Sequence, residues 1–126
     1  MTEPVRRAVS RRPVSFAAMD LTWRTAVVGE QHVISLVGEL DLASVPNVQT
    51  VLARAIGDAP GHTVVVDLDA LTVLDDTGMG ILLGAAARAR QHGGDLVLVC
   101  SSPRLRERFE LSGLARAIEV RDRLSP

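Results

Sequence analysis

The sequence predicts a single α/β domain: a mixed, mostly parallel β-sheet with an N-terminal hairpin and flanking helices. Three observations predict it. Short apolar runs of strand character alternate with amphipathic stretches of helical length, a pattern that demands parallel crossovers. The first two runs are separated only by the turn Gly29-Glu30-Gln31, which is hairpin spacing. The chain has 126 residues and 47% apolar content, enough for one core without staples, since a domain of this size buries roughly two-thirds of its unfolded surface.

Residues 1–19 contain Pro4, Pro13 and clustered arginines without a clear apolar period. They read as a disordered basic tail, either a docking arm or a solvated leader. Met19 directly precedes the first strand-like run and is a candidate translation start. Leu21–Val28 forms that run, with Leu21, Trp23, Thr25 and Val27 on one face. Residues 32–37 supply its hairpin partner.

Ser44 is expected to cap the first helix, with Pro46 in its first turn. Val48, Val51, Leu52, Ala55 and Ile56 fall at i, i+3, i+4, i+7 and i+8, one apolar stripe. Residues 57–61 end it. Residues 63–68 are apolar apart from Asp67 and read as a central strand buried on both faces. After residues 71–74, a second helix starts near Asp75-Asp76-Thr77 and runs to Gln91-His92-Gly93. Residues 96–100 are another buried strand.

Ser102 caps a third helix with Pro103 at its first position. It ends at Ser112-Gly113-Leu114, where Gly113 can take a positive φ and Leu114 can fold back on Phe109. Residues 117–120 make a last short strand. The domain spans 20–123, and 124–126 are its C-terminal end.

Composition removes several function classes. Aromatic residues are only 2% of the chain, too few for a base-stacking nucleic-acid reader. Residues 1–19 carry Arg6, Arg7, Arg11 and Arg12 against Glu3, a net +3, while the remainder carries ten Arg against fourteen acids, a net −4. An acidic domain is not expected to bind nucleic acid. No apolar run approaches the ~18 residues of a membrane span, and the N-terminus lacks the apolar core of a secretory signal. Cys100 is the single cysteine, which fits a reducing cytoplasm.

The most informative stretch is Asp75-Asp76-Thr77-Gly78-Met79-Gly80. Two carboxylates and a hydroxyl sit at a helix N-terminus, where free N–H groups and the positive dipole end favour anions, and either Asp can be the N-cap. Two glycines in the first turn leave the backbone open to close approach. The plainer reading is a well-capped helix. Gly38-Glu39-Leu40-Asp41 leaves the second strand. If the second and third strands are neighbours, Glu39, Asp41, Asp75 and Asp76 share the carboxyl edge of the sheet, where open α/β sheets place their sites. Such an acidic edge suits an arginine-bearing protein partner.

Other chemistry has less support. Asp67, Asp69, Asp75 and Asp76 could be read as a Mg²⁺ site, but their spacing matches no metal loop. A phospho-aspartate receiver needs a Lys beside its acidic pocket, and the chain has no Lys at all. The same absence removes a Gly-x-x-x-x-Gly-Lys phosphate loop. His32, His62 and His92 are scattered, and none is paired in sequence with a nucleophile. Cys100 closes an apolar strand and reads as an inert buried thiol. No cofactor or metal is expected.

Gly38-Glu39-Leu40-Asp41, Val64-Val65-Val66-Asp67-Leu68 and Leu74-Asp75-Asp76-Thr77-Gly78-Met79-Gly80 together resemble the STAS family. Gly93-Gly94-Asp95-Leu96-Val97-Leu98-Val99 and Leu111-Ser112-Gly113-Leu114 continue the likeness, which covers roughly residues 20–123. The best-known members are bacterial anti-sigma factor antagonists. The resemblance implies a non-enzymatic, cytoplasmic protein-binding switch that sequesters an anti-sigma factor with a serine-kinase-type ATPase domain, and so regulates transcription. The kinase phosphorylates a Ser within Asp-Ser-Ser/Thr-Gly and ends the binding.

Here the motif reads Asp75-Asp76-Thr77-Gly78, with Asp76 at the phosphoacceptor position and Thr77 as the neighbouring hydroxyl. A carboxylate carries about −1 charge, against about −1.5 to −2 for phosphate. Asp76 is therefore a partial, permanent mimic of the phosphorylated state. The implied recognition edge is Asp75, Asp76, Thr77, Gly78 and Met79, with Glu39 and Asp41 beside it. Two alternatives remain: a non-phosphorylatable interaction subunit of a transporter ATPase or signalling scaffold, and a phosphotransfer enzyme, disfavoured by the missing Lys.

Overall fold

The computed structural model describes residues 21–124. The expectations for residues 1–19, Met19 included, and for residues 125–126 fall outside the described residues. The elements run β1 (Leu21–Val28), β2 (Gln31–Leu40), a 3-10 turn (Leu42–Ser44), α1 (Val45–Asp58), β3 (Thr63–Leu74), α2 (Asp76–Gln91), β4 (Asp95–Val99), α3 (Pro103–Ser112), α4 (Leu114–Ala117) and β5 (Glu119–Arg121). They build one five-stranded sheet in the order β1-β2-β3-β4-β5. The β1–β2 pair is antiparallel and every other pair is parallel, which is the mixed, mostly parallel α/β sheet expected.

Each parallel crossover steps one strand further in the same direction. Right-handed connections then put every crossover helix on the same face of the sheet. The core agrees with this. Leu52 of α1, Leu82 of α2 and Phe109 of α3 belong to one buried cluster with Ile34, Val64, Val66 and Leu98 of the sheet. Val33, Val65 and Val99 form a separate cluster from residues of opposite parity, with Val28 and Leu124 against it. β3 is therefore apolar on both faces over residues 64–66, in its first half. The α1 stripe also packs as expected, with Val48, Leu52 and Ile56 fully buried and Val51 and Ala55 against the core.

Several boundaries differ from the expectation, each for a long-range reason. β2 does not stop at Val37 but pairs with β3 as far as Leu40↔Leu74, through register shifts between Ser35 and Val37 and between Gly38 and Glu39. β3 runs unbroken through Asp69 and Ala70 because β2 continues beside it. On β1, Leu21 and Trp23 reach the core, whereas Thr25 and Val27 at the far end are exposed. Ala117 is not in the last strand but ends the extra helix α4, and β5 begins at Glu119. Gly113 adopts φ 85 between α3 and α4, the left-handed conformation expected of it, and Leu114 beyond it is buried in the same cluster as Phe109.

Candidate functional site

The register of β2 against β3 creates the site. Glu39 lies opposite Val73 and Leu40 opposite Leu74, so the chain leaves both strands side by side at the carboxyl edge of the sheet. The Asp75 N–H donates to the Leu40 carbonyl across the gap at 3.4 Å, which joins the two turns.

Asp75 is extended (φ −99, ψ −177) and is the N-cap of α2. Its Oδ1 accepts from the Gly78 N–H at 2.9 Å, satisfying one of the free donors of the first turn. Gly78 is buried because α2 starts hard against the end of β2. A Cβ there would lie 2.8 Å from Leu40 Cγ and from Leu74 Cδ1, and 3.2 Å from the Leu40 carbonyl oxygen. Met79 is buried as well, with its sulfur 4.0 Å from Ser112 Oγ of α3. Gly78 and Met79, expected on the recognition edge, thus lie beneath it. Asp76, Thr77 and Gly80 form the exposed part of the turn. Gly80 is open, with nothing within 4 Å of a would-be Cβ. One and two turns further along α2, Leu83, Gly84 and Ala87 are exposed too.

The neighbouring turn is built by Asp41 and Ser44. Asp41 Oδ1 accepts from the Ala43 N–H at 3.1 Å, and Ser44 Oγ accepts from the Asp41 N–H at 3.1 Å, a reciprocal capping box on the 3-10 turn. Ser44 was expected to cap α1 through its side chain. It makes no such bond and instead donates to the Glu39 and Asp41 carbonyls. The 3-10 turn inserted before α1 takes the hydroxyl away from the helix N–H groups. Leu42 projects from this turn and is 72% exposed.

A match to the STAS domain covers residues 22–125. This chain belongs to the STAS domain family. An anti-sigma-B factor antagonist of Listeria monocytogenes is 34% identical over 71% of this chain and 77% of its own length. Among solved structures, the unphosphorylated form of the anti-sigma factor antagonist SpoIIAA superposes with a TM-score of 0.64 at 29% identity, over 78% of this chain and 86% of its own. An anti-sigma factor antagonist from Mycobacterium paratuberculosis superposes at 0.74 with 24% identity, over 82% and 87% of the two chains.

In this STAS domain the edge is less acidic than its sequence implies. Arg108 of α3 reaches across to the β3–α2 turn. Its NH1 donates to the Leu74 carbonyl, and its NH2 lies 3.3 Å from Asp76 Oδ1. Sequence reasoning missed Arg108 because nothing local ties it to a residue 32 positions away. Its place one residue before the buried Phe109 was the only hint.

The remaining candidates of this STAS domain stay apart. Asp67 Oδ1 accepts from the Asp69 N–H at 3.0 Å, and Asp69 Oδ1 accepts from the N–H and hydroxyl of Ser101 at 2.7 and 3.1 Å. Both carboxylates are engaged from within β3, Asp67 by the strand's own backbone and Asp69 by Ser101 just beyond β4, and Asp75 is engaged as a cap. Among the described residues, no three His, Cys, Asp or Glu side chains gather to hold a metal. The rings of His32 and His62 meet edge to face, with centroids 5.7 Å apart, at the end of the sheet away from Asp75. His92 caps the C-terminus of α2, its Nδ1 2.9 Å from the Arg88 carbonyl. Cys100 is buried, and burial pushes its thiol above the ordinary 9.0. Among the described residues, no helix is long and apolar enough to cross a membrane.

Proposed function

We propose that this chain is an anti-sigma factor antagonist, a cytoplasmic binding protein without catalytic activity. Its partner is an anti-sigma factor with a serine-kinase-type ATPase domain, and its contact surface is the β3–α2 turn with the exposed face of α2. The observation that carries the reading is the geometry of that turn. Asp75 and Gly78 are consumed in building it, and they hold Asp76 and Thr77 outward on a helix N-terminus. Gly80 and Gly84 leave the backbone of α2 bare beside them, so a partner can approach closely. The relatives support the reading by name, and SpoIIAA by having an unphosphorylated form distinguished as one of its states. Glu39 and Asp41 border this surface, Asp41 chiefly as a cap.

Asp76 occupies the acceptor position without a hydroxyl. Thr77 is the adjacent acceptor, but one residue along a helix is a rotation of about 100°, so its oxygen faces a different direction. The test is capture of the partner from native lysate with the tagged full chain. The captured anti-sigma factor is then titrated with wild type, Asp76→Ser and Thr77→Ala, followed by mass spectrometry after incubation with ATP. Wild type is expected to take up little phosphate. Asp76→Ser is expected to be phosphorylated and, before ATP is added, to bind more tightly by about 1–3 kcal/mol. Absence of binding to any anti-sigma factor would overturn the reading. Phosphate on wild type that disappears in Thr77→Ala would move the acceptor by one position.

A further inference from the structure

Arg108 holds two partners of different kinds. The Leu74 carbonyl is backbone at the end of β3 and is present whatever side chain follows it. The Asp76 carboxylate is a side-chain partner, which a substitution at position 76 removes or replaces. The guanidinium is therefore parked beside position 76 by a bond that does not depend on position 76. The two side chains differ in setting: Arg108 is 34% exposed, whereas Asp76 is 95% exposed and has little else around it. A planar fork of fixed donors can serve the carbonyl and an acid at once, which an ammonium cannot do equally well. About one helical turn further on, the contact between Ser112 and Met79 ties α3 to α2 a second time.

We propose that Arg108 is an internal reader of charge at position 76. It balances the Asp76 carboxylate in this chain, and it would clamp a phosphate carried at that position by an Asp76→Ser chain. The proposal rests on the reading above, in which position 76 is the acceptor position. Its consequence is that Asp76 does not present an unopposed negative charge, so the mimicry of a phosphorylated turn is weaker than the sequence implies. A phosphate, with more charge and three acceptor oxygens, binds the same fork more firmly than a carboxylate. The two states of such a switch then differ in how tightly α3 is held to the turn as well as in charge.

The test uses the full chain with phosphoserine incorporated at position 76 during synthesis, alone and combined with Arg108→Gln or Arg108→Lys. Phosphorus NMR follows the second ionisation of the phosphate, which lies near pH 6 in free phosphoserine. With Arg108 present the midpoint is expected roughly 0.3–0.7 pH units lower than with Arg108→Gln, since an adjacent cation favours the dianion and an exposed pair is weak. Arg108→Lys is expected to recover part of that difference, and salt at about 1 M to shrink it. A purely structural role would move the melting temperature and leave the titration alone. Equal midpoints in folded Arg108 and Arg108→Gln chains overturn the proposal. Should Arg108→Gln fail to fold, a salt dependence of the midpoint in the Arg108 chain equal to that of free phosphoserine between low salt and about 1 M overturns it. No anti-sigma factor enters the experiment, so its result is separate from whether such a partner binds.

Discussion

The Asp75 carboxylate accepts a 2.9 Å hydrogen bond from the backbone N–H of Gly78, closing the first turn of α2 against the end of β2. Loss of this cap has a defined cost. Asp75→Ala is expected to lower unfolding free energy by about 1 kcal/mol, and Asp75→Asn by much less, because the amide oxygen still accepts the bond. Urea denaturation measures both. Equal losses would mean that the negative charge near the helix dipole matters and the bond does not.

Two glycines in this turn should respond in opposite directions to the same substitution. At Gly78 a methyl group meets Leu40 and Leu74 side chains at 2.8 Å and the Leu40 carbonyl at 3.2 Å. Gly78→Ala is expected to destabilise by about 1–3 kcal/mol through overpacking. At Gly80 nothing lies within 4 Å, and Gly80→Ala is expected to stabilise α2 by roughly 0.5–1 kcal/mol. The melting temperatures of the two variants should bracket wild type, and equal shifts in one direction would contradict the close approach of α2 to β2.

Gly113 joins α3 to α4 with φ 85. A β-branched side chain resists that conformation. Gly113→Val is expected to cost more than about 1 kcal/mol, and Gly113→Asn clearly less, since Asn tolerates the left-handed region. A neutral Gly113→Val in thermal unfolding would place the end of α3 elsewhere.

Cys100 gives a pH dependence with a definite sign. Burial raises its folded thiol above the ordinary 9.0, so the folded chain keeps a proton that the unfolded chain gives up. The stability linked to Cys100 is complete below the unfolded value and falls as pH rises from about 9.0 towards the higher folded value. Cys100→Ala should flatten this alkaline decline, after allowance for the small cavity it leaves. Native protein at pH 8 should react slowly with a thiol reagent and quickly once unfolded. Fast labelling of the native state would show that the thiol is accessible.

The features legible in the sequence are those in which cause and consequence sit within about four residues. An aspartate cap before α2, Ser102 followed by Pro103, and Gly113 after α3 all took the conformations their local chemistry requires, the structure choosing Asp75 over Asp76 as the cap. The full reach of β2 was not legible, because Gly38 and Glu39 look like a turn until β3 pairs with them. Ser44 misled for a similar reason: an inserted 3-10 turn redirected its hydroxyl to the Glu39 and Asp41 carbonyls.

The sequence by itself determined the alternation of the main strands and helices, the capped starts of α2 and α3, and the motif Asp75-Asp76-Thr77-Gly78. Those properties depend on side-chain periodicity and on bonds between near neighbours in the chain. Only the tertiary structure decided which motif residues face outward and what stands opposite Asp76. Met79 looks as available as Thr77 in sequence, yet α3 covers it through Ser112. Arg108 becomes the neighbour of Asp76 only when the β4–α3 segment folds back beside α2. Contacts across more than thirty residues are set by strand order and crossover hand, which bring together side chains that carry no local mark of one another.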